Sequence, residues 1–363
     1  MAPSDTLRFS VHGRVGVHVA ADAPGAPQLR DMLAPFRTDA EPPADIAIGR
    51  RAAPLPGLAE ADGVRFGDGV LELPSRGLRV TVRDGGFGLA GDGELLVPAL
   101  TLLDLATARR GAAMVHGAAV CRDGRGVCIA GAGGAGKTSA ALSLALGRGD
   151  GFMADDWCFL ADDGRLLGYA KPLFLRAHHD AVAGEAARGG GVGRVRRVGL
   201  APSALAGALG TVATAVHPML SRRPAVARAA RRVWPEYRIV PARDALAGAR
   251  IVETAPLAAV LLVERADCPA PVLEAQSADW MADRLAGGFH AALPRGARDL
   301  STAMAAGGLL SLEAAHSAKA AVLRAALDGR TALRLRLPLA LRAPEAAAAI
   351  AVGVDRALEP AGS

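Results

Sequence analysis

MVHGAAVCRDGRGVCIAGAGGAGKTSAALSLALGRGDGFMADDWCFL, residues 114–160, is the stretch that decides the fold of this chain. At its centre, residues 131–138 (GAGGAGKT) match G-x-x-x-x-G-K-[ST], the pattern of a phosphate-binding loop. The apolar residues 126–130 before the loop predict a buried strand, and residues 139–146 after it predict a helix. Strand, glycine loop and helix therefore follow one another in the order that phosphate binding requires.

Each residue type in this loop has a physical role in binding a nucleoside triphosphate. Glycine allows consecutive backbone N–H groups to turn towards an anion, and the helix that begins near Gly136 adds the positive end of its dipole. Lys137 is expected to reach the β- and γ-phosphates of ATP, and the Thr138 hydroxyl to ligate Mg²⁺. With only three lysines in 363 residues, a chance match in a glycine-rich turn is the less favoured interpretation. The predicted nucleotide-binding residues are Gly131, Gly133, Gly134, Ala135, Gly136, Lys137, Thr138 and Ser139.

Length and composition indicate a globular protein. A chain of 363 residues with 51% hydrophobic residues can form two domains and a sizeable core. No apolar run approaches the roughly 18 residues that span a bilayer, and the N-terminus lacks the basic and apolar regions of an export signal. The four cysteines show no C-x-x-C spacing, so free thiols, mostly buried, are expected and a metal site is not. We therefore predict a cytoplasmic protein that does not bind a membrane.

Positive charge is concentrated in residues 186–250, although the whole chain carries a net charge of only +6. This segment has twelve arginines against two acidic residues, a net charge of +10. An acidic peptide or nucleotide phosphates would suit such a surface; a solvated arginine-rich helix over residues 225–233 is the plain alternative. Nucleic acid is not expected, because the chain has only 13 aromatic residues to stack on bases. Residues 189–195 (GGGVGRV) predict either a lid over the site or a plain loop.

Two adjacent carboxylates follow the loop helix closely. Asp155 and Asp156 lie 18 and 19 residues beyond Lys137, at the end of a predicted strand. A strand that directly follows the loop helix returns to the sheet edge that carries the phosphates. One carboxylate can then hold Mg²⁺ opposite Thr138, and the other can accept the proton of an acceptor hydroxyl. His116, in the strand before the loop, can reach the same point; a polar turn and a structural histidine are the alternative interpretations.

The order of His116-Gly117, glycine loop and Asp155-Asp156 resembles the catalytic domain of HPr kinase/phosphorylase, which shares its nucleotide-binding fold with phosphoenolpyruvate carboxykinase. The resemblance covers residues 112–176. It implies that His116 and Asp155 handle the proton near the phosphoacceptor and that Asp156 helps to bind Mg²⁺. The Glu-rich signature of that family is not found here. The chain is more similar to the HPr-kinase-related proteins of ribosomal peptide clusters, which implies phosphorylation of a serine in a lasso or other precursor peptide.

The chain as a whole is predicted to be an α/β protein with two domains. Residues 1–92 alternate apolar and polar positions between turns, which predicts a β-rich N-terminal domain where His12 and His18 are structural. Residues 93–363 are predicted to form the P-loop, HPr-kinase-like catalytic domain. Within it, two strands joined by a tight turn at residues 123–126 precede the glycine loop. Further helices are predicted over residues 95–110, 278–293, 311–327 and 344–358.

These observations predict a kinase that transfers the γ-phosphoryl group of ATP, with Mg²⁺ as cofactor, to a serine or threonine hydroxyl of a peptide or small protein. Asp155 would accept the hydroxyl proton and His116 would orient or share it. Lys137 and Arg238 would neutralise the developing charge. A small-molecule or carboxykinase-like phosphotransferase, a nucleotide-dependent switch protein, a scaffold without activity and a homo-oligomer all remain open.

Overall fold

The computed structural model describes residues 6–50, 53, 55–176, 179 and 238–359. Within these ranges the chain forms two eight-stranded sheets, one two-stranded sheet and flanking helices, so the prediction of a mixed α/β protein is confirmed. Most of the arginine-rich segment lies outside the described residues. The predicted loop at residues 189–195 and the predicted helix at residues 225–233 both fall there.

Hairpins make up much of the first sheet, and the residue types at their turns are recognisable in the sequence. Three of them turn at the Asp-Gly pairs 62–63, 68–69 and 84–85, where both residues have positive φ. Asp and Gly tolerate this left-handed conformation, which matches the twist of the flanking strands. The strands are β1 (Thr6–Val11), β2 (Val15–Ala20), β3 (Ile46–Arg50), β4 (Ala59–Ala61), β5 (Val64–Gly67), β6 (Val70–Leu73), β7 (Leu78–Arg83) and β8 (Gly86–Gly91). Their spatial order is β1-β2-β3-β8-β7-β6-β5-β4.

The second sheet is organised around one long strand, β9. The later strands are β9 (Ala112–Arg122), β10 (Arg125–Gly131), β11 (Gly151–Ala154), β12 (Trp157–Ala161), β13 (Arg165–Leu167), β14 (Leu173–Leu175), β15 (Arg238–Val240), β16 (Thr254–Ala266), β17 (Val272–Ala275) and β18 (Thr331–Pro338). β9 pairs antiparallel with β10 along one edge and with both β11 and β12 along the other. β10 also lies parallel to β16, and β14 pairs with β15 in the small sheet. The predicted hairpin before the glycine loop is therefore confirmed.

Helices cover both faces of the second sheet. The α-helices are α1 (Ala26–Met32), α2 (Leu96–Arg109), α3 (Lys137–Gly147), α4 (Ala242–Ala245), α5 (Ala278–Ala292), α6 (Arg295–Ala306), α7 (Leu312–Leu327) and α8 (Ala343–Ala357). On one face, α3 and α8 enclose a hydrophobic cluster that contains Ile129, Leu142 and Ile350. The cluster on the other face is continuous from Phe9 in the first sheet to Phe159 in the second. Because this core is shared, the division at residue 92 stays a prediction.

Two sequence expectations concern the cysteines and the membrane. All four cysteines are free, and Cys121, Cys128 and Cys158 are buried as expected. The spacing did not predict that Cys128 on β10 and Cys158 on β12 meet: their Sγ atoms are 3.7 Å apart. The strands β10-β9-β12-β13-β16 curl round until β16 pairs with β10, which brings side chains on the inner face together. None of the helices in the described parts of the chain combines the length and the apolar character needed to cross a membrane.

His12 is a half-buried residue at the turn between β1 and β2. Its backbone has a positive φ of 52°, and its ring packs edge-on against Phe36 and Phe159, with centroid separations of 4.9 and 5.4 Å. Burial, with a smaller contribution from the charges of Arg14 and Arg165, lowers the pKa of His12 from 6.5 to about 4. The imidazole is therefore neutral in the folded protein at neutral pH.

This pKa predicts a specific loss of stability in mild acid. Between about pH 6.5 and 4 the unfolded chain binds a proton on His12 that the folded chain does not, so the free energy of unfolding decreases as the pH falls. From pH 7 to pH 5 this residue accounts for about 2 kcal/mol. His12→Asn keeps a residue that tolerates positive φ and should remove that part of the pH dependence in urea unfolding. An unchanged difference between pH 7 and pH 5 would contradict the assignment.

Candidate active site

The glycine loop connects the end of β10 to the beginning of α3, as the sequence predicted. Gly131, at φ 147°, has no room for a side chain, because a Cβ atom there would lie 2.2 Å from the Val263 carbonyl oxygen on β16. Gly134 and Gly136 also have positive φ. Residues 132–134 are exposed at the tip, so the peptide groups of the loop can be approached from solvent. Ser139, one turn into α3, is buried and supports the helix rather than lining the loop surface.

Lys137, the first residue of α3, is folded back over the loop. Its Nζ donates hydrogen bonds to the carbonyl oxygens of Gly131 and Ala132, at 2.7 and 2.9 Å. A third contact, 3.1 Å long, joins Nζ to Nε2 of His116. Burial lowers the pKa of Lys137, while the carboxylates of Asp155 and Asp156 oppose that effect. The ammonium is thus held at the phosphate loop by acceptors that an incoming phosphate can replace.

His116 is neutral, and its contacts define its tautomer. Burial, followed by the charge of Lys137, lowers its pKa from 6.5 to about 4. An ammonium can only donate, so Nε2 of the imidazole must accept the hydrogen bond from Lys137, which leaves the ring proton on Nδ1. Nδ1 lies 3.4 Å from Oδ1 of Asp156, an electrostatic contact that is longer than a normal hydrogen bond. The imidazole therefore bridges the phosphate loop and the second carboxylate.

Asp155 is the buried member of the carboxylate pair. It directly follows β11, and its Oδ1 accepts a hydrogen bond of 2.8 Å from the Thr138 hydroxyl at the start of α3. Burial raises its pKa, and the nearby ammonium of Lys171 partly opposes the increase. The side chain lies at the base of the glycine loop.

Asp156 is the accessible member of the pair. Its backbone adopts φ 71°, an uncommon conformation for a residue other than glycine, and its carbonyl oxygen accepts a 3.1 Å hydrogen bond from the Gly117 N–H. The side chain is 36% exposed, with Oδ1 facing His116 and Oδ2 lying 3.3 Å from Nζ of Lys171. Aspartate tolerates this left-handed conformation, which here turns the chain between β11 and β12 and leaves the carboxylate partly open to solvent.

The arrangement of the two carboxylates differs from the expectation. The resemblance to HPr kinase/phosphorylase pairs His116 with Asp155 and assigns the metal to Asp156; in the structure His116 faces Asp156, and Asp155 lies beside Thr138. The reason is the turn between β11 and β12. The positive φ of Asp156 changes the direction of the chain there, and only the Asp155 side chain faces Thr138 on α3.

The oxygens of Thr138 and Asp155 fit a magnesium ion. Adjacent ligands of octahedral Mg²⁺, at 2.0–2.1 Å from the metal, are about 2.9 Å from each other, and these two oxygens are 2.8 Å apart. Mg²⁺ usually takes its remaining ligands from phosphates and water. Consistent with that, no group of three or more His, Cys, Asp or Glu side chains is placed to hold a metal within the described ranges.

The predicted catalytic residue Arg238 is placed only in part. Its backbone begins β15 and pairs with Leu175 on β14, but its side chain lies outside the described residues. No role was predicted for Lys171 from the sequence, although lysine is rare in this chain. Both Lys137 and Lys171 are buried beside the carboxylates, and that rarity is the signal that could have identified the second one.

A cavity of about 510 Å³ opens beside the glycine loop. One wall consists of His116, Gly131 and Gly133, and the opposite wall belongs to helix α5, where Gly287 and Gly288 face open space. The sequence predicted α5 as an amphipathic helix without connecting it to the site, because nothing in its local pattern encodes the packing of this helix against β9.

No protein-family model matches this chain, and no curated protein matches it either.

The close approach of β10 and β16 predicts different effects for two glycines of the same loop. Gly131→Ala places a methyl group against the Val263 carbonyl and should lower the free energy of unfolding by about 1–3 kcal/mol, because both the contact and φ are unfavourable. Gly133→Ala, where a Cβ meets nothing within 4 Å, is the matched control and should change stability by less than about 0.5 kcal/mol. Urea unfolding measures both; equal effects would contradict the steric argument.

Proposed function

We propose that this chain is an ATP-dependent kinase with an HPr-kinase-like catalytic site, which phosphorylates a serine or threonine hydroxyl of a peptide or small protein. One observation carries the proposal: at the base of the glycine loop, one carboxylate is buried on the Thr138 hydroxyl and the next is partly exposed to solvent. The buried carboxylate suits a metal site, and the partly exposed one suits a general base that an acceptor can reach. The sequence resemblance supports the same reaction.

The glycine loop would bind the triphosphate. Its exposed peptide groups and the N-terminus of α3 favour an anion. Lys137 would leave the carbonyl oxygens of Gly131 and Ala132 for the β- and γ-phosphates, since a charged acceptor binds an ammonium more strongly than a carbonyl does. The same movement would release Nε2 of His116.

Thr138 and Asp155 would hold Mg²⁺, which neutralises the charge of the phosphates when it is bound. The buried position of Asp155 fixes its oxygen beside the loop and away from the acceptor. We therefore assign metal binding to Asp155 rather than to Asp156, in contrast to the assignment that the resemblance implies.

Asp156 would act as the general base. As the acceptor oxygen forms its bond to the γ-phosphorus, the bond from that phosphorus to the β–γ bridging oxygen breaks, and ADP leaves with the electron pair. Asp156 takes the proton of the acceptor hydroxyl. The Nδ1–H of His116 faces the same carboxylate and would orient it.

A second candidate is a kinase for a small molecule. The cavity beside the loop, about 510 Å³ in volume, lies within the size range of small-molecule sites. The same carboxylate and the same loop would serve such an acceptor, so the two candidates differ only in the compound that is phosphorylated.

Asp155→Asn and Asp156→Asn separate the two proposed roles. Asp156→Asn should lower kcat for phosphoryl transfer about 100-fold or more and keep the affinity for Mg·ATP, because an amide cannot accept the proton. Asp155→Asn should weaken Mg·ATP binding about tenfold or more, because the charge beside Thr138 is lost. Titration calorimetry measures the affinity. Transfer of labelled phosphate from ATP to a library of serine and threonine peptides, acidic ones included, measures kcat.

Asp163→Asn is the control, because this residue lies in the exposed turn between β12 and β13 and should change neither quantity. The assignment is wrong if Asp155→Asn abolishes transfer with unchanged Mg·ATP affinity while Asp156→Asn weakens binding. Absence of Mg·ATP binding by the wild-type protein would overturn the proposed function itself.

A further inference from the structure

The three lysines of this chain, Lys137, Lys171 and Lys319, are all buried, and Lys171 is the most enclosed of them. Its side chain is fully inaccessible to solvent. It follows β13 closely in sequence, on the segment that leads into β14.

The Lys171 ammonium lies between aromatic rings and the carboxylate pair. Nζ lies 5.6 Å from the centroid of the Trp157 ring and 4.7 Å from that of Phe174. Among the described residues its ion-pair partner is Oδ2 of Asp156 at 3.3 Å, and its charge also opposes the rise in the pKa of Asp155. No hydrogen bond satisfies Nζ among the described residues. The two rings stabilise a cation on their faces but do not replace the water that an ammonium loses on burial.

Stability alone does not explain such a residue. A buried ion pair usually gains less from its mutual attraction than it loses by desolvation, and an apolar pair of similar volume is often as stable or more so. The Asp156 carboxylate that pairs with Lys171 is partly exposed, so only the lysine side chain is buried in the core. Because burial of the Lys171 ammonium costs free energy, its presence indicates a role in the candidate active site.

We propose that Lys171 is a positioning residue, whose ammonium holds the Asp156 carboxylate from the buried side so that its open face is presented to the acceptor hydroxyl. This inference rests on the proposed function. The Lys171 ammonium lies 3.3 Å from Oδ2, and Nδ1 of His116 lies 3.4 Å from Oδ1, so each carboxylate oxygen has an electrostatic contact on its own side. Because Lys171 is enclosed, it would act on the acceptor only through Asp156, although its charge also reaches Asp155.

Restraint of a base matters because a displacement of about 1 Å in a reacting group can reduce the rate about 100-fold. Lys171→Met keeps the length of the side chain against Trp157 and Phe174 and removes the charge. We expect kcat to fall about 10- to 100-fold and the KM for ATP to change much less, because the close contact of Lys171 is with Asp156 and its charge acts on Asp155 only at longer range.

Rescue of kcat by an added amine distinguishes a positioning role of the Lys171 charge from a packing role of its side chain. Lys171→Ala leaves a cavity between the two rings, and n-propylammonium should restore part of kcat by returning a cation to the side of Asp156. Propanol should not restore it, and neither Lys171→Met nor the wild type should respond to the amine. Rescue by propanol equal to that by the amine, or full activity of Lys171→Met, would overturn the proposal.

The chain offers a matched control in its third lysine. Lys319, on α7, is buried in an ion pair of 2.6 Å with Asp104 on α2. Lys319→Met combined with Asp104→Leu removes this pair together, so no buried charge is left alone, and kcat should be unchanged. A fall in kcat equal to that of Lys171→Met would show that loss of any buried lysine suffices, and the positioning role would be rejected.

One further measurement keeps this proposal separate from the proposed function. If the wild-type protein binds Mg·ATP but phosphorylates no acceptor, the kinase assignment fails, and a crystal structure of Lys171→Met then decides the positioning claim. We expect the Asp156 carboxylate to rotate away from its wild-type orientation in that structure. A carboxylate that keeps its place without the ammonium would overturn the claim.

Discussion

The pairing of β9 with strands on both of its edges is the constraint on which the candidate site depends. β10 along one edge carries the glycine loop, and the break between β11 and β12 along the other edge carries Asp155 and Asp156. His116 lies on β9 itself, between the two. Backbone hydrogen bonds across neighbouring strands thus bring the loop, the imidazole and the backbone of the two aspartates together, and side-chain contacts are left to orient the carboxylates.

The charges of the lysines and aspartates in the candidate site balance one another before any ligand binds. Two buried ammonium groups, on Lys137 and Lys171, accompany two aspartates, and His116 between them is neutral because burial and Lys137 oppose its protonation. A region balanced in this way can be buried at moderate cost. The two aspartates also have different surroundings. Asp155 accepts a hydrogen bond from the Thr138 hydroxyl, whereas Asp156 contacts the Lys171 ammonium and is partly exposed.

Local chemistry made much of the fold predictable. The glycine loop and the helix after it follow from a motif whose residue types have individual physical roles, and the Asp-Gly turns follow from the left-handed conformation that Asp and Gly tolerate. Other features depend on partners that are distant in sequence. The choice of which aspartate faces Thr138, the contact between Cys128 and Cys158, and the enclosure of Lys171 by aromatic rings all arise from strand pairing and packing.

The sequence by itself determined that a glycine loop with the pattern G-x-x-x-x-G-K-[ST] lies between a strand and a helix, and that two acidic residues follow it, because these signals reside in consecutive residues. Only the tertiary structure decided that Asp155 is buried on Thr138 while Asp156 is exposed between His116 and Lys171. The physical reason is that side-chain direction at a turn between two strands depends on the register of both strands with β9. That register is set by the packing of the whole sheet, which no local pattern records.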